Sequence, residues 1–261
     1  ARRLAPQKVS VSLPSLRPGS ITPAVLDAVK KVRRSGLTLA PEAGTERLRL
    51  FIRKDFPDAA IYDTVRIALQ KGWINIKLYF MIGLPTETEE DLIGIATICR
   101  NVFDISRDYP GKTTLNVTLS PFSPKAHTPF QWDEAVPEDV IFEKIKFIKN
   151  QTRNSRINFK YNDTRLAMLV SVLGRGDRRM ADVIESAYRS GCRFDGWSED
   201  FDFKRWQQAF ADHQIDMHGH LEAIPFSNEL PWSHIRKGMS VDHLRKERER
   251  TSLTLREFTP L

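Results

Sequence analysis

The sequence predicts an α/β fold, with strand–helix units in the first half and a mainly helical C-terminal extension. Strand-like segments begin near residues 9, 37, 74 and 115, and a helical pattern follows each of them. This spacing is typical of parallel strands joined by right-handed crossovers. A complete (β/α) barrel needs eight repeats in about 250 residues, so four strands leave it open. We therefore expect a partial TIM-like (β/α) barrel in residues 1–136 and a helical extension with an irregular tail in residues 137–261.

The first two predicted strands are short and are separated by a helix. Residues 9–13 alternate between apolar residues and serine, and residues 37–39 follow a glycine. Such alternation favours strands. Thr22-Pro23 provides an N-cap and first helical residue for the intervening helix, and Thr45 provides an N-cap for the helix after the second strand.

The segment from Gly72 to Leu92 (GWINIKLYFMIGLPTETEEDL) is the strongest functional indication in the sequence. Its apolar run, Ile74–Ile82, predicts a strand buried on both faces, as in a parallel sheet covered by helices. Gly83-Leu84-Pro85 ends the strand, and Thr86 with Glu89 predicts a capping box. Since α/β proteins bind ligands at the carboxyl ends of their strands, we expect a site at this loop.

The fourth predicted strand, residues 115–119, leads into the long loop SPFSPKAHTPFQW. The pattern changes near Pro137, after which apolar residues recur at helical spacing. The exception is INFKY (157–161), which allows a short strand. From residue 227 the sequence is irregular and ends in a charged tail.

Composition limits the class of protein. The chain has 261 residues, 41% of them hydrophobic, and no apolar run approaches a membrane span. The first residues lack the continuous apolar region of a secretory signal, so we expect a cytoplasmic protein. Two cysteines exclude a disulfide framework, and Cys99 lies on an apolar helix face, which favours an inert core thiol. The net charge of +7 favours an anionic partner such as RNA, or else a solvated surface with a basic bias.

The common enzyme motifs are absent. There is no GxxxxGK[ST], GxGxxG, HExxH or GxSxG pattern. His213, His218 and His220 lie close in sequence, but without cysteine or carboxylate spacing they favour a solvated loop over a metal site. We therefore predict no metal ligands in this chain, and interpret Arg175-Gly176-Asp177 as a turn and helix cap.

Polar residues follow all four predicted strands. In a parallel barrel these loops lie on one rim. They contribute hydroxyls, a carboxylate, a helix N-terminus and cations: Ser12, Ser15, Glu42, Gly44, Thr45, Arg17, Arg49 and Lys125.

These loops resemble segments of radical S-adenosylmethionine (SAM) enzymes. Residues 83–92 (GLPTETEEDL) resemble the GxPxETxxD segment after the fifth strand, residues 42–46 (EAGTE) the segment after the fourth, and residues 120–129 the loop after the sixth. The resemblance is closer to an uncharacterised bacterial group of the superfamily that often carries an N-terminal cobalamin-binding-like domain. It rests on seven motifs in order between residues 9 and 239: SLPSLR, LTLAPEAGTERLR, IKLYFMIGLPTETEEDL, FSPKAHTPFQW, RGDRR, FDGWSE and LPW.

The resemblance implies a six-stranded partial barrel around a 4Fe–4S cluster, of which this chain holds about strands 3–6. In the superfamily the cluster reductively cleaves SAM to a 5'-deoxyadenosyl radical, which abstracts a hydrogen atom from the substrate. The substrate is not readable here, although RNA modification is one option.

The resemblance also assigns candidate cofactor-binding residues. Glu42, Gly44 and Thr45 lie where relatives contact the ribose or the methionine end of SAM, and Lys54 lies where related methylthiotransferases carry a basic residue. Contacts to adenine would come from the two other loops, at Ile82, Gly83, Leu84, Ser120 and Phe122. The rim serines, Ser12 and Ser15, complete the set.

Some of these roles stay open. Ser15, Thr45 and Glu87 allow a ligand role or a structural one, and Glu87 could bond to backbone amides at its turn. Arg17 and Arg49 favour structural roles.

One departure from the superfamily is large. The CxxxCxxC motif that binds the cluster is absent, and Cys99 and Cys192 cannot replace it. We expect that motif upstream, and interpret the chain as a C-terminal fragment that is inactive alone; loss of the cluster domain from the gene is the alternative. Smaller departures are Arg53 in place of an asparagine and Asn162 in place of a histidine.

Two functions follow. The first is the SAM-binding half of a radical SAM iron–sulfur enzyme. The second is a non-catalytic module whose basic helices, from Lys144 to Arg179, dock RNA or a protein. A bare apolar edge at Val9–Leu13 would in addition favour a homodimer.

Overall fold

A computed structural model describes residues 5–9, 15–30, 36–153 and 156–258. Four strands form one sheet in chain order: β1 (Leu37–Glu42), β2 (Asn75–Ile82), β3 (Thr114–Pro121) and β4 (Ile157–Tyr161). Nine α-helices occur in the described residues: α1 (Pro23–Lys30), α2 (Glu46–Phe51), α3 (Asp58–Gln70), α4 (Glu89–Ser106), α5 (Glu138–Thr152), α6 (Thr164–Arg175), α7 (Met180–Arg189), α8 (Phe203–Asp212) and α9 (Val241–Phe258).

The sheet is parallel, as the strand–helix spacing predicts. Leu37 of β1 lies opposite Ile76 of β2, and Leu115 of β3 lies opposite Ile157 of β4. The α/β class is confirmed, and the arrangement is consistent with a partial barrel. None of the helices among the described residues is long and apolar enough to cross a membrane.

The chain divides into two compact units. The first unit comprises the described residues of 1–120, 144–161 and 254–258, and the second those of 121–143 and 162–253. The division from sequence at residues 136 and 137 assigned all of 144–161 to the helical extension. These residues belong to the first unit because β4 pairs along its whole length with β3.

The predicted strands at 37, 74 and 115 are confirmed, and the short strand at 157–161 is confirmed as β4. The strand predicted at Val9–Leu13 lies outside the described residues, apart from an exposed Val9. Among the described residues, Leu16 pairs next to β1: its N–H donates to the Thr38 carbonyl at 3.0 Å, and its carbonyl accepts from Ala40 N–H at 3.2 Å. The homodimer through a bare edge stays a prediction.

The prediction that β2 is buried on both faces is wrong. Ile76, Leu78, Phe80 and Ile82 are buried, whereas the residues between them are exposed or half-buried. Adjacent side chains of a strand point to opposite faces, so β2 buries one face only. The other face begins with Asn75 and Lys77, whose polar groups oppose full burial.

The second face of the sheet carries a group of polar residues, next to Tyr79 and Met81 at the end of β2. The Asn116 Nδ2 atom donates to Asn75 Oδ1 at 3.1 Å, and Asn158 lies opposite Asn116 in the strand register. Two residues further along the strands, Lys160 lies opposite Thr118, and Lys77 lies opposite Thr38. We call this the polar sheet face: Thr38, Asn75, Lys77, Asn116, Thr118, Asn158 and Lys160.

A glycine pair sets how closely α4 approaches the loop after β1. A Cβ atom added to Gly94 in α4 would lie 2.4 Å from the Gly44 carbonyl oxygen, and one added to Gly44 would lie 2.0 Å from the Asp91 carbonyl oxygen. Only glycine at both positions allows the two backbones to touch.

The second unit contains a buried cation, Arg175, next to its apolar core. Helices α6, α7 and α8 contribute a core that includes Val172, Val183 and Phe210. Arg175, at the end of α6, is buried and donates to the backbone carbonyls of Asp133 at 2.6 Å, His220 at 2.8 Å and Glu222 at 2.5 Å. Burial lowers the pKa of its guanidinium. The interpretation of Arg175–Asp177 as a turn therefore missed the packing role of this arginine, although Gly176 does cap α6.

We predict that Gly94→Ala destabilises the chain by about 1–3 kcal/mol, because the methyl group overlaps backbone that cannot move without shifting α4. Urea unfolding followed by circular dichroism measures the change. Gly174→Ala is the matched control, since its Cβ would meet no atom within 4 Å. Equal unfolding midpoints for the two variants would contradict the packing role of Gly94.

Candidate functional site

The candidate site is the rim at the carboxyl ends of β1 and β2, and Glu42 is a partly exposed acid of this rim. Glu42 ends β1 at an irregularity in the register and has a positive φ of 71°. Its Oε1 atom lies 3.3 Å from Lys54 Nζ, and the two side chains are 21% and 43% exposed. The pair can therefore be reached by a polar ligand.

Asp91 links the two rim loops. Its carboxylate is only 1% exposed and lies 2.5 Å from Arg47 Nη2. It also accepts from the hydroxyl of Thr45, and from the Thr88 N–H at 2.7 Å and hydroxyl at 3.0 Å. Arg47 donates further to the Thr86 carbonyl at 2.9 Å. The loop after β1 and the start of α4 are thus held together by one buried charge.

The cap of α4 differs from the prediction. Thr88 is the N-cap and Asp91 the third helical residue, whereas the sequence pattern predicts Thr86 and Glu89 at these positions. Thr86 has a positive φ of 66° and lies within the preceding turn. That left-handed backbone is incompatible with the extended conformation of an N-cap, so the cap begins two residues later.

Glu87 closes the turn after β2. Both carboxylate oxygens lie 3.0 Å from the Gly83 backbone nitrogen, and Lys144 Nζ donates to Oε1 at 2.6 Å. The side chain is 2% exposed, and burial raises the pKa of its carboxyl although Lys144 opposes this. Of the two roles that the sequence left open for Glu87, these contacts support the structural one.

Arg49 and Arg17 both donate to backbone carbonyls, contacts that are consistent with a structural role. Arg49 is fully buried, donates to the carbonyls of Ala43 at 3.1 Å and Phe56 at 3.2 Å, and pairs with Asp58. Arg17 donates to the Asp55 carbonyl. The two guanidinium groups lie 5.2 and 5.8 Å from the Phe56 ring centroid.

Several candidate binding residues already have structural partners. Thr45 caps α2 by accepting from Leu48 N–H at 3.2 Å and also donates to Asp91. Its hydroxyl therefore already acts both as a hydrogen-bond acceptor and as a donor. Gly44 is required by the packing of α4. The side chains of Ile82 and Leu84 are buried, which leaves backbone atoms as their polar groups.

Other candidates keep accessible side chains. Ser15 is exposed and Ser120 is half-buried. Phe122 belongs to the second unit, is half-buried and packs edge-on against Phe130 at 5.9 Å. Ser12 lies outside the described residues. Three rim residues, Glu42, Arg53 and Thr86, have positive φ, a strain that costs about 1–3 kcal/mol each and is common at ligand sites.

Neither cysteine is placed to bind a metal. Cys99 is fully buried in α4 with a strongly raised pKa, which confirms the predicted core thiol. Cys192 is buried in the core of the second unit. Among the residues that the structure describes, no group of three or more His, Cys, Asp or Glu side chains could hold a metal ion.

Carboxylates and backbone carbonyls hold several cations in the segment from Lys144 to Arg179. Lys144 binds Glu87, Arg165 lies 2.9 Å from Asp163, and Arg179 lies 2.8 Å from Asp177. Arg175 is buried among carbonyls. The predicted role of this segment in RNA binding stays a prediction.

Comparison with known proteins gives two similarities, and no family model matches the chain. It is 31% identical over 177 residues, 68% of its length, to an uncharacterized protein of Methanocaldococcus jannaschii, of which it covers 37%. It is 24% identical over 159 residues, 59% of its length, to the threonylcarbamoyladenosine tRNA methylthiotransferase MtaB of Treponema pallidum, of which it covers 30%. The chain thus spans about a third of each curated relative's length.

We predict that Asp91→Asn lowers the free energy of unfolding by about 3 kcal/mol, because it leaves Arg47 without its buried partner. Asp63→Asn is the matched control: Asp63 forms an exposed ion pair with Arg66, which contributes about 0–1 kcal/mol. Urea unfolding measures both. A loss from Asp91→Asn no larger than the control's would show that the rim loops do not depend on this carboxylate.

The raised pKa of Glu87 predicts that the stability of the folded chain depends on pH. Its pKa is raised in the folded protein, so the folded state holds the proton more tightly than the unfolded state. The stabilisation from this group is complete below its ordinary pKa of 4.5 and is lost as pH rises through the folded pKa.

The stability of the wild type relative to Glu87→Gln should therefore fall as pH rises above 4.5. Unfolding free energies of both proteins across this range measure the difference, and the exposed Glu90→Gln variant is the control. If the stability of the wild type relative to Glu87→Gln instead rises with pH, the ion pair with Lys144 has a larger effect on the pKa of Glu87 than burial has.

Proposed function

We propose that this chain is the SAM-binding part of a radical SAM iron–sulfur enzyme whose substrate is unknown. The observation that carries the proposal is the rim itself. The two loops that resemble SAM-binding segments, after β1 and β2, are joined at the carboxyl ends of a parallel sheet by the buried Asp91. The similarity to a methylthiotransferase supports the same assignment, since the resemblance described above includes methylthiotransferases.

In this proposal Glu42 is the main polar contact to SAM. Its carboxylate is accessible and can accept from the ribose hydroxyls or the amino group of the methionine part. Lys54, 3.3 Å away, can pair with the carboxylate of that part. Ser15 and Ser120 provide further hydroxyls, whereas Thr45 and Gly44 shape the loop that presents Glu42.

The adenine would lie along the turn after β2. Glu87 occupies the Gly83 N–H, so the carbonyl of Gly83 is the polar group left for the exocyclic amino group of adenine. The buried Ile82 and Leu84 hold this turn in place.

The iron–sulfur cluster is part of the proposal, but the residues present do not fit it. Cys99 is enclosed by α4 and its neighbours, and Cys192 belongs to the second unit. The proposal therefore assigns the cluster ligands to residues outside these 261 positions and expects the chain alone to be inactive. A bound cluster would supply the electron that cleaves SAM.

A second candidate function is a non-catalytic RNA-binding module. The polar sheet face favours it, since Lys77 and Lys160 lie on that face with three asparagines, which can contact phosphates and sugars. The name of the Treponema pallidum relative includes tRNA as a substrate. Binding of this kind weakens steeply with salt, so tRNA affinity measured from low to high salt tests it. If a Lys77→Gln, Lys160→Gln double variant binds tRNA with the same affinity as the wild type, this second function is contradicted.

We predict that the chain binds SAM and that Glu42→Gln weakens binding about tenfold or more, because hydrogen bonds to a charged group contribute about 1.5–3 kcal/mol. Equilibrium dialysis with labelled SAM measures the dissociation constants. Asp63→Asn, on the outer surface of α3, should bind like the wild type. Absence of SAM binding in the wild type at millimolar concentration would contradict the proposal.

Anaerobic reconstitution with iron and sulfide, followed by reductant and SAM, tests the assignment of the cluster ligands. We expect no 5'-deoxyadenosine from the chain alone. Its appearance would show that ligands lie within this sequence.

A further inference from the structure

The second unit contains a cavity of about 430 Å³ that has no part in the proposed SAM site. It lies between the loop around His127 and Gln131 and the segment from Leu230 to Leu244. A volume of this size suits a small organic ligand.

A buried amide group lines the cavity. Gln131 is 1% exposed, and its Oε1 atom accepts from the His127 N–H at 3.0 Å and from Trp232 Nε1 at 2.8 Å. Both partners can only donate, so the orientation of the amide is fixed. Its Nε2 atom is buried, and no described residue offers it an acceptor. Such a donor is unfavourable unless a ligand or solvent atom accepts from it.

The rest of the lining includes apolar residues and two cations. Leu230, Trp232 and Leu244 are buried and form an apolar wall, and Ile235 and Met239 also line the cavity although they are 53% and 55% exposed. Two exposed cations, Arg236 and Lys237, belong to the lining, whose described residues include no carboxylate. The cavity therefore combines an inner neutral donor, apolar walls and positive charge at exposed residues.

We propose that this cavity binds a small organic anion with an apolar body and a neutral hydrogen-bond acceptor at the end remote from its charge. The acceptor pairs with Gln131 Nε2, the apolar body contacts Leu230 and Trp232, and the anionic group lies near Arg236 and Lys237. A keto acid and a nucleotide both have this chemistry, since a pyrimidine ring carries carbonyl acceptors and the phosphate carries the charge.

Three aliphatic probes separate the contributions in the full chain. The compound 9-oxodecanoate has both the ketone and the carboxylate, decanoate lacks the ketone, and decan-2-one lacks the charge. Isothermal titration calorimetry should show 9-oxodecanoate binding roughly three- to tenfold more tightly than decanoate, the gain of one hydrogen bond. It should also bind more tightly than decan-2-one, which lacks the charge. Uridine 5'-monophosphate and uridine are compared in the same way. Tighter binding of the monophosphate than of uridine would identify a nucleotide as the ligand, and tighter binding of 9-oxodecanoate than of decanoate would identify a keto acid.

Two variants test the named contacts. Gln131→Glu keeps an acceptor for His127 and Trp232 but removes the amide donor, so the advantage of 9-oxodecanoate over decanoate should disappear. The Arg236→Gln, Lys237→Gln double variant should remove its advantage over decan-2-one. Lys112→Gln, an exposed change in the first unit, is the control and should alter neither ratio. Circular dichroism checks that each variant is folded.

The proposal is overturned if no probe binds at millimolar concentration. It is equally overturned if binding occurs with the same ratios in Gln131→Glu and in the double variant, since the ligand would then lie elsewhere.

Discussion

The buried carboxylate of Asp91 is the interaction on which the candidate rim depends. A charge that is 1% exposed is unfavourable unless it is paired and hydrogen-bonded, and here a cation, two hydroxyls and one backbone N–H provide the compensation. Thr45, the N-cap of α2, and Arg47 in its first turn come from the segment after β1, 46 and 44 residues before Asp91. The position of one loop is therefore fixed relative to the other, and the contact between Gly44 and Gly94 brings their backbones together.

Periodicity predicted most of the elements but not their surroundings. The strands at 37, 74 and 115 and helix α4 follow from local patterns that the folded chain keeps. The error over β2 came from treating Lys77 and Tyr79 as part of an apolar run, although their alternation with Ile76 and Leu78 indicated one buried face. The cap of α4 was misplaced by two residues because Thr86–Glu89 and Thr88–Asp91 have the same spacing. Only the distant Arg47 and the left-handed Thr86 distinguish them.

The residues that sequence reasoning missed have partners far along the chain. Asp91 depends on Arg47, and Arg175 on carbonyls more than 40 residues away. A local pattern contains no information on such pairs. The signal that was available is chemical: an acid directly after a Gly-Pro turn, or an arginine next to a helix-ending glycine, commonly has a backbone partner. The resemblance marked two loops that lie close together in the fold, and two of its residues, Thr45 and Gly44, have structural contacts there.

The separation of these rim contacts along the chain also links ligand binding to folding. Glu42 lies near Lys54 only after α2 has formed, and the adjoining turn at Gly83 requires the pairing of β1 with β2. The unfolded chain therefore has no rim to bind, and any ligand of the rim must stabilise the folded state by RT ln(1 + [L]/Kd). A hundredfold excess over Kd adds about 2.7 kcal/mol, comparable to the contribution expected of the Asp91 ion pair. A ligand of the rim would thus offset the backbone strain at Glu42 and Thr86.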